Sequence, residues 1–194
     1  MGALRPSQRL RLGKALGEAL QSRACRANPR ANGRGRSAVP MLESLRRRRQ
    51  NRQIVDRLWD EVVSRARRPE RFVEGGLPDT VFGRFESLSI EVFLLLRRCG
   101  ADTSLAALSQ DLVDRFMTDL DHSMRELGVG YLAVPKRMRK LAGRFYARVA
   151  LYEPAVASRD VAALAKALRE TAFVDAPGGN SDRAEALATQ ILAA

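Results

Sequence analysis

A chain of 194 residues that is 45% apolar is long enough to bury one core of ordinary size, with tails to spare. Its net charge of +12 is unevenly spread: residues 1–40 hold nine Lys/Arg against Glu18, residues 41–52 add five arginines against Glu43, and residues 53–194 balance at twenty of each. The folded body is therefore neutral overall, so the high pI belongs to an arginine-rich leader rather than to a domain-wide nucleic-acid surface, which argues against DNA as a partner.

Two cysteines, Cys25 and Cys99, have neither CxxC spacing nor ligand-type neighbours, which fits a reduced compartment. The longest apolar run, residues 92–96, falls far short of the ~18 residues that span a bilayer. A soluble or peripheral protein is expected rather than an integral one.

Residues 4–20 set Leu4, Leu12, Leu16 and Leu20 among Arg5, Arg9, Arg11 and Lys14, the pattern of transit peptides and surface-lying basic helices. Residues 26–40 are rich in Arg, Asn, Gly and Pro and bury too little to offset their ordering entropy, so disorder is expected. Residues 1–52 thus read as a basic leader, disordered or loosely helical. Met41 also resembles a natural start, which would make residues 1–40 upstream sequence.

Apolar Ile54, Val55, Leu58, Val62, Val63 and Ala66 recur at helical spacing over 53–67, with Trp59 at the edge of the stripe and Pro69 ending it. Gly75, Gly76 and Pro78 predict a loop. Asp79 is the expected cap of a second helix, where Phe82, Phe85, Leu88, Val92, Phe93 and Leu96 fill one broad face. That helix is expected at the centre of the core. Gly100 closes it, and Thr103 or Ser104 is the expected cap of a third helix running through Leu108, Leu112, Phe116 and Leu120 to Leu127.

Gly128 suits the left-handed residue after a helix, and Pro135 suits the first turn of the next one. A fourth helix over 135–152 carries Met138, Leu141, Ala142, Phe145, Val149 and Tyr152 on one face, and Lys136, Arg137, Arg139, Lys140, Arg144 and Arg148 around the rest. A fifth helix over 160–173 takes Ser158 or Asp160 as its cap. Pro177-Gly178-Gly179 breaks the chain, and Ser181 begins a terminal helix to about Leu192. No strand alternation and no repeat occurs, so the expected fold is all-α: one helical domain of about six helices behind the leader.

Several separated stretches, in order and at fitting distances, resemble the ubiquinol-cytochrome c chaperone family. They are Leu77-Pro78-Asp79-Thr80 with Gly83-Arg84-Phe85, the run from Glu91 to Arg98, residues 110–121, and Arg125-Glu126-Leu127-Gly128-Val129-Gly130 continuing through Val134-Pro135-Lys136 to Phe145-Tyr146. The resemblance covers residues 55–170, and 53–175 is assigned as the chaperone-like domain, with 176–194 as a C-terminal loop and helix. Tyr131 stands where members usually carry an aspartate, so a contact made through a carboxylate there is not carried over.

The resemblance implies an assembly factor of the cytochrome bc complex, with unassembled cytochrome b or another subunit of that complex as client. It also implies a place at the inner membrane surface, cytoplasmic in a bacterium or on the matrix side of a mitochondrion. A ribosome and a small partner protein are further partners that it implies. It makes the turn and the basic helix a partner-facing surface: Gly128, Val129, Gly130, Tyr131, Leu132, Val134, Pro135, Lys136, Arg137, Arg139, Lys140 and Arg144. Tyr and Arg together suit an interface. The residues alone leave open a solvated face, an acidic or lipid contact, or an RNA contact, and the leader's arginines make RNA or ribosome binding the alternative function.

No catalytic chemistry is expected. Nothing strand-like precedes Gly128-Val129-Gly130, so the turn is no dinucleotide fingerprint. Asp111, Asp114, Asp119, Asp121 and Glu126 read as solvated acids forming rim pairs with the basic helix rather than a metal site. His122 is the only histidine and is expected on the surface; Cys99 is expected buried and inert. No metal and no cofactor is assigned.

Overall fold

A computed structural model describes residues 38–174 and 180–193, with side chains from residue 51 onward apart from Asn180. The expectations for residues 1–37 and for the Pro177-Gly178-Gly179 break lie outside the described residues. Seven α-helices follow in order: α1 (Ala38–Ala66), α2 (Pro69–Phe72), α3 (Val81–Cys99), α4 (Ala106–Glu126), α5 (Val134–Ser158), α6 (Val161–Thr171) and α7 (Asn180–Ala193). A 3-10 turn, Thr103–Leu105, precedes α4, and no strand occurs among the described residues.

Helix α1 begins well before the expected Gln53, because the arginine run is made of good helix formers that the periodicity of apolar residues does not register. Its C-terminal half packs on α3 and α4, burying Val55, Trp59, Val62 and Ala66. Trp59 is a core residue rather than an edge one, at 3% exposure, with its ring 6.0 Å from that of Phe116. Ile54, expected in the stripe, stays exposed. The hydroxyl of Ser87 on α3 donates to the carbonyl of Ala66 at 2.7 Å, closing the end of α1 from outside the helix.

Helix α3 is capped by Thr80, whose hydroxyl accepts from the Gly83 N–H, and not by the expected Asp79, which pairs instead with Arg84. Asp102 caps the 3-10 turn by accepting from the Ser104 N–H, so α4 proper starts at Ala106, later than Thr103 or Ser104 implied. Asp160 caps α6 through the Ala163 N–H, while the Ser158 hydroxyl turns back to the carbonyls of Pro154 and Ala155. Helix α5 runs past Tyr152 and through Pro154 to Ser158, and Arg159 ends it in the left-handed region.

A ladder of rings joins the layers. Trp59 on α1 meets Phe116 on α4, Phe116 meets Phe145 on α5 edge to face at 5.1 Å, and Phe93 on α3 meets Tyr152 on α5 at 6.1 Å. Helices α6 and α7 form a hairpin against the far end of α5. The α7 residues Ala184, Leu187, Ala188 and Ile191 belong to the same core cluster as Phe93 and Phe145.

Helix α3 is as central as its sequence implies, yet it also buries charge. Glu86 bonds Arg148 of α5, Glu91 bonds Arg71 of α2, and Arg97 stands 3.3 Å from Glu153 of α5. The partners of Glu86, Phe93 and Arg97 on α5 are Arg148, Tyr152 and Glu153, in the same order, so the two helices advance in the same direction. Neither oxygen of Glu153 makes a hydrogen bond, although both are buried.

Candidate functional site

The turn between α4 and α5 begins where Gly128 adopts φ +77, a left-handed conformation that only glycine takes without strain. A Cβ added at Gly128 or Gly130 would meet nothing within 4 Å, so the turn projects clear of the body. Leu127, Tyr131 and Leu132 are exposed on it, at 57%, 75% and 91%. Leu127 is thus outside the core stripe assigned to it, because it already lies beyond the last packed turn of α4. The guanidinium of Arg125 sits 5.4 Å from the centre of the Tyr131 ring and holds it in place.

Val134 differs from the expectation. It is 1% exposed and anchors the first turn of α5 in the core, so it supports the turn and offers no surface to a partner. Val129 is half-buried, and Pro135 is exposed in the first turn of α5.

Lys136, Arg137, Arg139 and Lys140 are exposed, and none of them is in an ion pair among the described residues. The α4 acids find partners elsewhere among the described residues. Asp121 pairs with Arg125 within α4, Asp114 accepts from Gln110, and Arg115 reaches Asp56 of α1. The first turn of α5 contains no acid. Cations there face the positive end of the helix dipole, an arrangement that disfavours the helix by up to about 1 kcal/mol per charge. Their placement is complementary to a negative partner.

Arg144 is exposed too, but it lies over the Phe82 ring at 4.8 Å and ties α5 to α3. Arg148, read from sequence as one more cation of that helix, is a half-buried partner of the fully buried Glu86, with 13% side-chain exposure. The periodicity grouped it with the cations outside the apolar face, because nothing in that pattern announces the acid on α3.

Further along, the outer face of α5 changes character. Gly143, Ala147, Ala150 and Pro154 are exposed, with Leu151 44% exposed beside them. This strip was not singled out by sequence, because small residues carry little weight in a hydrophobic pattern. Small side chains let another helix approach the backbone closely. The site as a whole is a projecting apolar turn, a cationic helix start, and a smooth apolar strip on a rod of ~37 Å.

Other candidates fall into place around it. His122 is exposed and 3.9 Å from Glu126. Cys99 is buried, and burial pushes its thiol up. Among the described residues no group of three or more His, Cys, Asp or Glu is placed to hold a metal, and no helix is long and apolar enough to cross a membrane.

An all-helical body with a polar-rimmed apolar face outside its core has the build of a protein-binding module. The sequence profile of the family described as ubiquinol-cytochrome C chaperone matches residues 73–194. The chain belongs to that family and is a chaperone for the cytochrome bc complex. It is also similar to the Cbp3 homolog from Brucella abortus, known from a crystal structure, at 40% identity and a TM-score of 0.68 over 78% of this chain and 84% of that one. No curated protein matches the chain.

Proposed function

We propose that this protein is a non-enzymatic holder of unassembled cytochrome b, working at the surface of the membrane in which the bc complex is built. An unassembled subunit exposes apolar helices that later pack against haem and neighbouring chains, so a holder needs an accessible apolar face with a charged border. The outer face of α5 supports this reading: four cations without an ion pair among the described residues border a strip of Gly143, Ala147, Ala150 and Leu151. Family membership supplies the complex; the identity of the client is the further step.

The test is crosslinking capture of newly made cytochrome b by the full chain. Arg139→Glu and Ala147→Arg are each expected to lower capture at least tenfold without loss of helical content, with Arg57→Glu on α1 as an unaffected control. Undiminished capture by both face variants would move the client to another surface, and failure of the wild-type chain to capture cytochrome b would reject the client.

A further inference from the structure

We infer that the α4–α5 turn, with the cations that follow it, is a docking tip for an anionic lipid surface. Leu132 and Tyr131 project from the body on a turn around which a Cβ at Gly128 or Gly130 meets open space. Lys136, Arg137 and Lys140 stand behind them without carboxylate partners among the described residues, the first two against the dipole of their own helix. A convex apolar point gives a folded partner no groove to fill, whereas it matches the boundary between headgroups and acyl chains, with tyrosine at headgroup level and cations against lipid phosphates. Glu126, at the base of the turn, faces His122 rather than the tip.

The tip lies at the opposite end of α5 from the α6–α7 hairpin. Arg148 bonds the Thr171 carbonyl at the end of α6, and Arg159 bonds the Leu192 carbonyl on α7, so both helices pack along the C-terminal half of α5. Docked through the turn, the rod would hold its apolar strip just outside the bilayer. The inference rests on the client reading only for the reason the protein stands at a membrane; the lipid contact itself is measured without client.

The leader's arginines would also attract acidic vesicles, so bulk binding does not discriminate. An environment-sensitive fluorophore is therefore attached at Leu132→Cys in the full chain carrying Cys25→Ser, with Thr189→Cys on α7 as the control position. Vesicles of phosphatidylglycerol and phosphatidylethanolamine are expected to shift the 132 probe to shorter wavelength and leave the 189 probe unchanged. Pure phosphatidylcholine vesicles should leave both unchanged. Lys136→Gln with Arg137→Gln should raise the lipid concentration needed for half of the shift on the order of 25-fold, about fivefold for each cation lost near a lipid surface. A 132 probe that stays in water while the protein floats with acidic vesicles would overturn the inference and leave the leader as the only membrane contact. An equal shift on neutral vesicles would overturn its electrostatic half. Client capture by the labelled Leu132→Cys chain, its cations intact, in lipid-free detergent separates the two readings: capture by a chain whose 132 probe stays in water on acidic vesicles sinks only the lipid tip, and insertion without capture sinks only the client.

Discussion

The carboxylate of Glu86 on α3 receives Nε and a terminal nitrogen of Arg148 on α5, at 2.8–3.2 Å, with Glu86 wholly removed from solvent. The same guanidinium reaches the carbonyl of Thr171 at 3.4 Å. The Thr171 hydroxyl donates to the Ala167 carbonyl and accepts from Tyr152. One arginine therefore fastens α3, α5 and α6 around a polar knot. Cutting one partner of such a pair strands a charge, at a cost of about 3–5 kcal/mol. Arg148→Ala is expected to lose that much in urea denaturation, with Lys140→Ala on the same helix within about 0.5 kcal/mol of wild type. Equal losses would mean that the two cations are not divided between fold and function.

Burial holds the Glu86 carboxyl above its ordinary value of 4.5, and Arg148 pulls it back down. Between 4.5 and the raised value the native state binds more protons than the unfolded chain, so this group's contribution to stability falls as pH rises through that window. Arg148→Met removes the opposing pull and widens the window upward. Its melting temperature, compared with that of Glu86→Gln/Arg148→Met, is expected to be closest at pH 5 and to fall behind as pH approaches 7. A gap that narrows toward neutrality would reverse the sign and refute the assignment.

Gly128 and Gly130 look alike in sequence and differ in backbone. At Gly128, φ is +77 and alanine is strained whatever the space, so Gly128→Ala should cost ~1–2 kcal/mol. Gly130 has no positive φ and open space around its Cα; Gly130→Ala should be neutral or stabilising by up to about 1 kcal/mol through the unfolded chain. Denaturation midpoints of the two variants decide it. Identical losses would mean that both glycines, rather than one, shape the turn.

What was legible in the sequence follows from which signals are local. Helical periodicity placed α3, α4 and α5 and most of their core faces, and the glycine after Leu127 marked the turn because a left-handed residue has few alternatives. The caps were harder: Asp79 and Thr80 are adjacent and both suit an N-cap, and only the geometry shows Thr80 accepting from Gly83 while Asp79 turns to Arg84. The roles of Arg148, Arg71 and Glu86 depend on partners 62 and 20 residues away, information no window of the chain contains. Val134 fails for the same reason: its apolar character fitted an exposed turn as well as an anchor, and packing decided for the anchor. The strip at Ala147 and Ala150 escaped notice because it is defined by what those residues lack.

Gly83 explains in physical terms why a glycine occupies the first turn of α3. A Cβ there would come within 1.8 Å of the Pro78 carbonyl oxygen, which is backbone and cannot swing aside. That carbonyl also accepts from the Thr80 N–H at 2.8 Å, so moving it loosens the residue whose hydroxyl caps the helix. Gly83→Ala should therefore break two things at once, the close approach and the cap, for about 3 kcal/mol by analogy with overpacked cores. Thr80→Ala removes the cap alone and should cost about 1 kcal/mol. The double variant is expected to lose little more than Gly83→Ala, since the cap is already gone in the first. Fully additive losses in a double-mutant cycle would show that the two features act independently, and the loop before α3 would then be a spacer rather than a clamp on the start of the central helix.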